Sequence, residues 1–376
     1  MFLVIVYFTG LIVPQESNKI KYSAEVRNGY NTESFKHFNL PNTLVSALVG
    51  ASNQSLAAST WSSYNTAENH IHRCQEDTGV HMSFPMDDRM VLAYVGWLIA
   101  VRKVSSATIS QYISGLRVAH LKQGVMPGNL KPALVAAVIK GKEHEEGKSE
   151  TKVPILAMSI PVMRLLKALL TQSSMALAEK RLLWAISCMA FHGSFRIHEL
   201  LSRSTNTFDP TTTLLGCNVR KLEQDIDGTR EIILAVHLKC PKEDKLQQGV
   251  TVELFSTKTV TCPVTAWLKW KKSSKVASSP TKPAFRREDG SCMTGNKFNI
   301  EIKSVLGKVI NYNSKKYLSH SFRAGLASMM ASAGYRDEEI MRQGRWHSSA
   351  FKLYCKTGRA SRLREQRDLA LKVSQI

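Results

Sequence analysis

The chain has 376 residues, is 43% hydrophobic and carries a formal net charge of +21 at pH 7. That length sets two independently cored domains as the expectation, and the apolar share excludes a disordered chain. The seven cysteines are scattered, odd in number and never in Cys-x-x-Cys spacing, which argues against a disulfide framework or a zinc site. An excess of cations favours a polyanionic partner, above all nucleic acid, over a basic protein without one.

The chain opens on an apolar run, MFLVIVYFTGLIV, that is too short to span a bilayer. It also lacks the leading basic region and the cleavage site of a signal peptide, so no membrane partner is expected. Residues 1–40 read as an N-terminal arm, polar and without periodicity from about Gln15 to Phe38. Residues 41–146 read as a helical domain. One helix is expected from about Leu56 to Asp77, and a second from Met86 to Val101, starting on Asp87-Asp88. Ser105 or Ser106 caps a third, whose Ile109, Tyr112, Ile113, Leu116 and Ala119 recur at helical spacing. A fourth covers Lys131 to Lys140. His70, His72 and Cys74 alternate on the first of these helices and read as a solvated face. Arg102, Lys103, Arg117 and Lys122 stand at or near helix ends and are the candidate contacts to a DNA backbone. The charged run Gly141 to Lys152 has no apolar face, and the linker is set at 147–156.

Residues 157–376 read as a second domain. Helices are expected at Ser159 to Gln172 and Met175 to Phe191, the latter ending at His192-Gly193. Arg196 follows just past that glycine, at the start of a new helical turn. Three β-rich runs come next, Thr213 to Val219, Glu231 to Lys239 and Val250 to Phe255, with Lys239, Lys242 and Lys245 around the turn between the last two. Helices resume at Pro263 to Lys271 and around Asn299 to Val309. The fold class is therefore mainly α with a small antiparallel β-sheet.

The most informative stretch runs from Tyr317 to Lys356. Its glycines and acidic helix starts divide it into three short helices, from about Ser321, from Asp337 and after Ser348 or Ser349. His320 and Arg323 are three apart, hence on one helical face. Trp346 and His347 occupy a tight link, and Tyr354 follows. Singly, each of these residues is more often structural: Trp346 as a core anchor, Tyr354 as packing. As a set, a basic pair, an indole or imidazole and a lone tyrosine suit a phosphodiester.

In chain order the parts are Arg196, Lys242, His320, Arg323, Trp346 or His347, and Tyr354. HGSFRIHELL, PKED, HSFRAGLAS and GRWHSSAFKLY resemble the motifs of the tyrosine recombinase (phage integrase) superfamily, and FPMDDRMVLAYVGWLIAVRKVSSATISQYISGLRVAH resembles its core-binding domain. The chain looks more closely like the recombinases of DIRS-type and Crypton mobile elements. The resemblance implies a SAM-like helical core-binding domain, a catalytic domain, double-stranded DNA as partner and a DNA-bound homo-oligomer, dimer or tetramer. In a eukaryote it implies the nucleus, and otherwise the cytoplasm in association with DNA.

The chemistry of the residues agrees. Tyr354 would be the nucleophile, and its ester would store the bond energy for resealing. Arg196 and Arg323 would present planar forks to the non-bridging oxygens. His320 would transfer a proton or contact the phosphate, and Lys242 (or Lys239 or Lys245) would help the leaving oxygen. Trp346 is preferred to His347, since its interval to Tyr354 is close to the family's. Glu199, one helical step from Arg196, would orient the pocket. No metal or cofactor is expected, because cations do the charge work. A catalytically silent DNA-binding protein of the same fold and a type IB topoisomerase-like enzyme are the rival readings.

Overall fold

The computed structural model describes residues 29–148, 156–239, 241, 244, 248–277, 279–308, 316–353 and 355. The chain divides into two compact units, Met1–Lys152 and Val153–Ile376.

The first unit is helical: α1 (Asn42–Asn53), α2 (Ala58–Thr78), α3 (Asp88–Ala100), α4 (Ser106–Lys122) and α5 (Ala133–Lys148). The caps are those the sequence signals. Asp87 accepts from Met90 N–H ahead of α3, and Ser105 accepts from Thr108 N–H ahead of α4. Ile109, Ile113, Leu116 and Ala119 face inward along α4, with Tyr112 half-buried beside them. Gly115 is where α4 meets α2: a Cβ there would stand 2.7 Å from the Ala67 Cβ.

Two expectations need correction. Part of the expected arm is folded, because residues Thr32–Phe38 form a 3-10 helix capped by Asn31. Tyr30 packs edge-on against Trp61, and the Asn53 side chain bonds both the N–H and the carbonyl of Tyr30. The charged run from Gly141, read as having no apolar face and as leading into the linker, continues α5 through Lys148. Its anchor is tertiary: Glu146 accepts from the Ser106 N–H at 2.8 Å and from the Ser106 hydroxyl at 3.0 Å. The carboxylate thereby serves one of the unpaired amides at the start of α4.

The second unit packs α6 (Ile160–Gln172), α7 (Leu177–His192), the four-residue α8 (Ile197–Leu200), α9 (Pro263–Ser273), α10 (Gly295–Leu306) and α11 (Ser319–Ser332) around one core, while α12 (Asp337–Gly344) joins a smaller cluster through Ile340. Helix α7 is its axis, buried along its whole second half from Leu182 to Phe191. Gly325 of α11 allows the close approach to this axis, since a Cβ there would stand 2.2 Å from the Met158 carbonyl oxygen and 2.9 Å from the Phe191 ring. A 3-10 turn, Ser349–Leu353, follows α12.

Among the described residues there is one sheet, antiparallel in the order β1-β2-β3, with β1 (Val219–Ile226), β2 (Thr229–Leu238) and β3 (Val250–Phe255). The first strand lies later than the expected Thr213 to Val219. Leu214 and Leu215 are buried within the loop before it, while β1 is a polar edge strand exposed along most of its length. Its partner is joined through Asp227-Gly228, both at positive φ, as a tight hairpin requires. No described helix is long and apolar enough to cross a membrane.

Candidate active site

The site is built on the turn that ends α7. Gly193 caps that helix, and Ser194 takes a left-handed φ of 47°. Their carbonyls stand at the negative end of the helix, where cations are favoured. Two arginines from distant sequence use them. Arg323 donates through Nη1 to the Ser194 carbonyl. Arg345 donates through Nη1 to the Gly193 carbonyl at 2.9 Å and through Nη2 to the Ser194 carbonyl at 3.5 Å. Phe195, fully buried, lies under the Arg345 guanidinium with 5.0 Å to the ring centroid.

Arg196 follows on the same turn as the N-cap residue of α8. Its Nη1 donates to Glu199 Oε1 at 3.1 Å, and its N–H donates to Oε2 at 3.0 Å. Arg345 Nη2 meets that same Oε2 at 2.8 Å. Glu199 thus lies between two arginines, with its side chain 8% exposed.

His320 and Arg323 share the first turns of α11. The His320 imidazole is held below its usual value by loss of hydration, then by the charges of Arg323, Arg196 and His198. The residue is exposed. Hydration is therefore only partly lost, and the charges of Arg323 and Arg196 add to its effect.

Arg323 is 2% exposed, and its guanidinium carbon lies 4.4 Å from the centroid of the Trp346 ring. Of the adjacent Trp346 and His347, it is Trp346 that touches the arginine, while His347 is exposed. Gly344 makes room for the indole, because a Cβ there would overlap the Trp346 ring. Beyond the link, Phe351 is buried against Ala327 and Ile340. The Cys355 thiol, for which the sequence suggests no role, packs beside this cluster and donates to the Ala327 carbonyl at 3.5 Å. Burial pushes that thiol up.

Tyr354, Lys242 and Lys245 lie outside the described residues. Lys239 is engaged elsewhere, donating to the Pro210 carbonyl at 2.8 Å. In the helical unit Arg102, Lys103 and Arg117 are exposed, with Arg102 over the Trp97 ring at 5.9 Å. Lys122 departs from the expectation. Its side chain is 12% exposed and bonds Glu68 and Asn65, both on α2, so it closes the α2–α4 interface. Arg345 is the functional candidate that sequence reading missed. The available signal was a long cation between Gly344 and Trp346, where a helix end favours glycine. Among the described residues no group of three or more His, Cys, Asp or Glu could hold a metal ion.

No protein-family model matches the sequence, and no curated protein does. Solved structures do. The chain is similar to a XerH site-specific recombinase bound to palindromic difH substrate in a post-cleavage complex. That match has a TM-score of 0.52 at 11% identity and covers 91% of this chain and 89% of the other. It is also similar to a Tn1549 transposon integrase in complex with transposon right-end DNA, with a TM-score of 0.51 at 14% identity, over 81% of this chain and 93% of the other. The fold is that of the tyrosine recombinases: mostly helical, with a small three-stranded antiparallel sheet.

Proposed function

We propose that the protein cuts and rejoins double-stranded DNA through a 3′-phosphotyrosine intermediate, with Tyr354 as the nucleophile. The observation that carries this reading is the convergence of Arg196, Arg323 and His320 around one turn, with Trp346 stacked on Arg323. Fixed cations held in place before the reaction stabilise the charge that develops on a pentacoordinate phosphorane-like transition state.

In this reading the Tyr354 oxygen attacks phosphorus, the bond to the 5′-oxygen breaks, and Lys242 supplies the proton that oxygen needs. Arg196 and Arg323 hold the non-bridging oxygens. Neutral His320 contacts the phosphate or moves a proton there. Religation reverses the steps, with a 5′-hydroxyl as attacking group. The helical unit, 41–146, lies against the DNA backbone through Arg102, Lys103 and Arg117, and the active form is a DNA-bound dimer or tetramer. The motif resemblance points to descent from a DIRS-like or Crypton-like mobile element and to action in the nucleus of a eukaryotic host.

The test is to select duplex DNA bound by the full-length protein, nick it within the site, and trap covalent adducts. Wild type should yield adducts that resist denaturation, and Tyr354→Phe should bind the DNA and yield none. Binding without any wild-type adduct would favour the silent DNA-binding reading. Relaxation of supercoiled plasmids of unrelated sequence would favour the topoisomerase-like one.

A further inference from the structure

The Gly344-Arg345-Trp346 link carries a feature that the strand-transfer chemistry does not use. Arg345 sits at the end of α12 with φ 54° and ψ 47°, a left-handed conformation that a residue with a Cβ adopts at a cost. Glycine would fit there without strain. What the arginine contributes is a set of contacts across 146 residues of sequence, to Glu199. The same guanidinium reaches the Gly193 and Ser194 carbonyls and stacks on Phe195.

Its effect on Arg196 follows from the geometry of the shared carboxylate. A carboxylate beside one arginine favours a two-pronged fork, with both oxygens on the same guanidinium. Here Oε1 takes Arg196 Nη1, while Oε2 is held by Arg345 and by the Arg196 backbone N–H. Without Arg345, Oε2 loses its charged partner, and Glu199 can turn to close the fork on Arg196. The guanidinium would then be drawn toward Glu199, and its charge would be neutralised by one carboxylate that no second cation shares.

We propose that Arg345 is a positioning residue: it holds Glu199 in a divided arrangement that keeps it from closing a two-pronged fork on the Arg196 guanidinium and so fixes the direction of that guanidinium for the scissile phosphate. This rests on the strand-transfer reading. It also explains the adjacency of Arg345 to Trp346, since one link then sets both arginines, Arg323 through the indole and Arg196 through Glu199.

The experiment uses the full-length protein and the nicked duplex selected above, with single-turnover adduct rate and Kd measured in the same buffer. Arg345→Gly suits the backbone and removes the clamp. It should lower the adduct rate by about 100-fold, the scale of losing one positioned transition-state donor, with little change in Kd. Adding Glu199→Gln should recover at least about a tenth of the wild-type rate, because a neutral amide no longer captures Arg196. Arg345→Lys keeps the charge without the fork and should fall between; with Glu199→Gln it supplies the same comparison if Arg345→Gly does not fold. A merely structural tie predicts a loss that follows stability and is not relieved by Glu199→Gln. That result, or an Arg345→Gly rate close to wild type, overturns the proposal while leaving strand transfer intact. Absence of adduct from the wild-type protein instead overturns the strand-transfer reading, and this proposal with it.

Discussion

Histidines and basic side chains occur in both units, yet they do opposite work. In the helical unit His120 is fully buried and bonded on both sides: Nε2 accepts from the Met86 N–H at 2.9 Å, and Nδ1 meets the Leu116 carbonyl at 2.7 Å. Lys122, on the same helix, is paired with Glu68. In the second unit His320 is exposed among Arg323, Arg196 and His198, and Glu199 is shared between two arginines. The contrast shows what marks a site. In the helical unit these side chains are paired and closed, whereas the cluster around Glu199 reaches solvent at His320. Residue type alone distinguishes neither.

The largest effect that separates the two regions should come from Arg323. Replacing it with Ala removes a charged donor to the transition state, worth roughly 3–4 kcal/mol, or a few-hundredfold in single-turnover cleavage. Affinity for the same DNA should change far less. A cleavage rate within a few-fold of wild type would mean that Arg323 serves only the Ser194 carbonyl and the Trp346 ring.

The histidine pair sharpens the comparison further. His120→Ala leaves a cavity and strands the buried Met86 N–H, which should cost about 2–4 kcal/mol in urea unfolding. His320→Ala should leave unfolding within about 0.5 kcal/mol of wild type, as surface changes generally do. It should nonetheless slow cleavage on the order of 100-fold if the ring transfers a proton. Equal stability losses would erase the distinction between the two.

Acidity offers a third handle. His70, His120, His192, His198 and His320 are all held below the usual imidazole value of 6.5, each first by burial. A depressed folded value means that the unfolded chain binds the proton more readily. The stability these groups contribute is therefore complete above 6.5 and is lost as pH falls through the lower folded values. Urea midpoints should drop from pH 7.5 to pH 5. A bound phosphate reverses the sign locally at His320 by favouring its cation, so DNA binding should take up protons in that range. Flat midpoints would contradict the burial of His70 and His120.

The smallest effect concerns the helical unit's surface. If Arg102, Lys103 and Arg117 touch phosphates, changing all three to Ala should flatten the slope of log K against log salt by up to about 0.9 per contact. Lys122→Ala should leave that slope unchanged and instead weaken folding, since its partners are Glu68 and Asn65. A slope change from Lys122 and none from the other three would invert our assignment.

Much of this was legible in the sequence wherever the information is local. Helices α3 and α4 declare themselves through Asp87 and Ser105 and through apolar spacing. The pairing of His320 with Arg323 needs only the helical repeat. What escaped notice depends on contacts between distant segments. The end of α5 is held by Glu146 reaching Ser106, 40 positions away. Strand β1 is polar because it is an edge, and its identity comes from pairing with β2. Arg345 looks like a solvated cation until the fold brings it to Glu199. The same holds for Lys122, whose charge suggested DNA while its partner on α2 was invisible in the local pattern.

The most direct measurement is to identify the residue that carries DNA. Adducts trapped on the nicked duplex would be digested with nuclease and protease, and the nucleotide-bearing peptide sequenced by mass spectrometry. Our account predicts a nucleotide esterified to Tyr354, linked through its 3′-phosphate, and no such peptide from Tyr354→Phe. A nucleotide on any other side chain, or linkage through a 5′-phosphate, would contradict it.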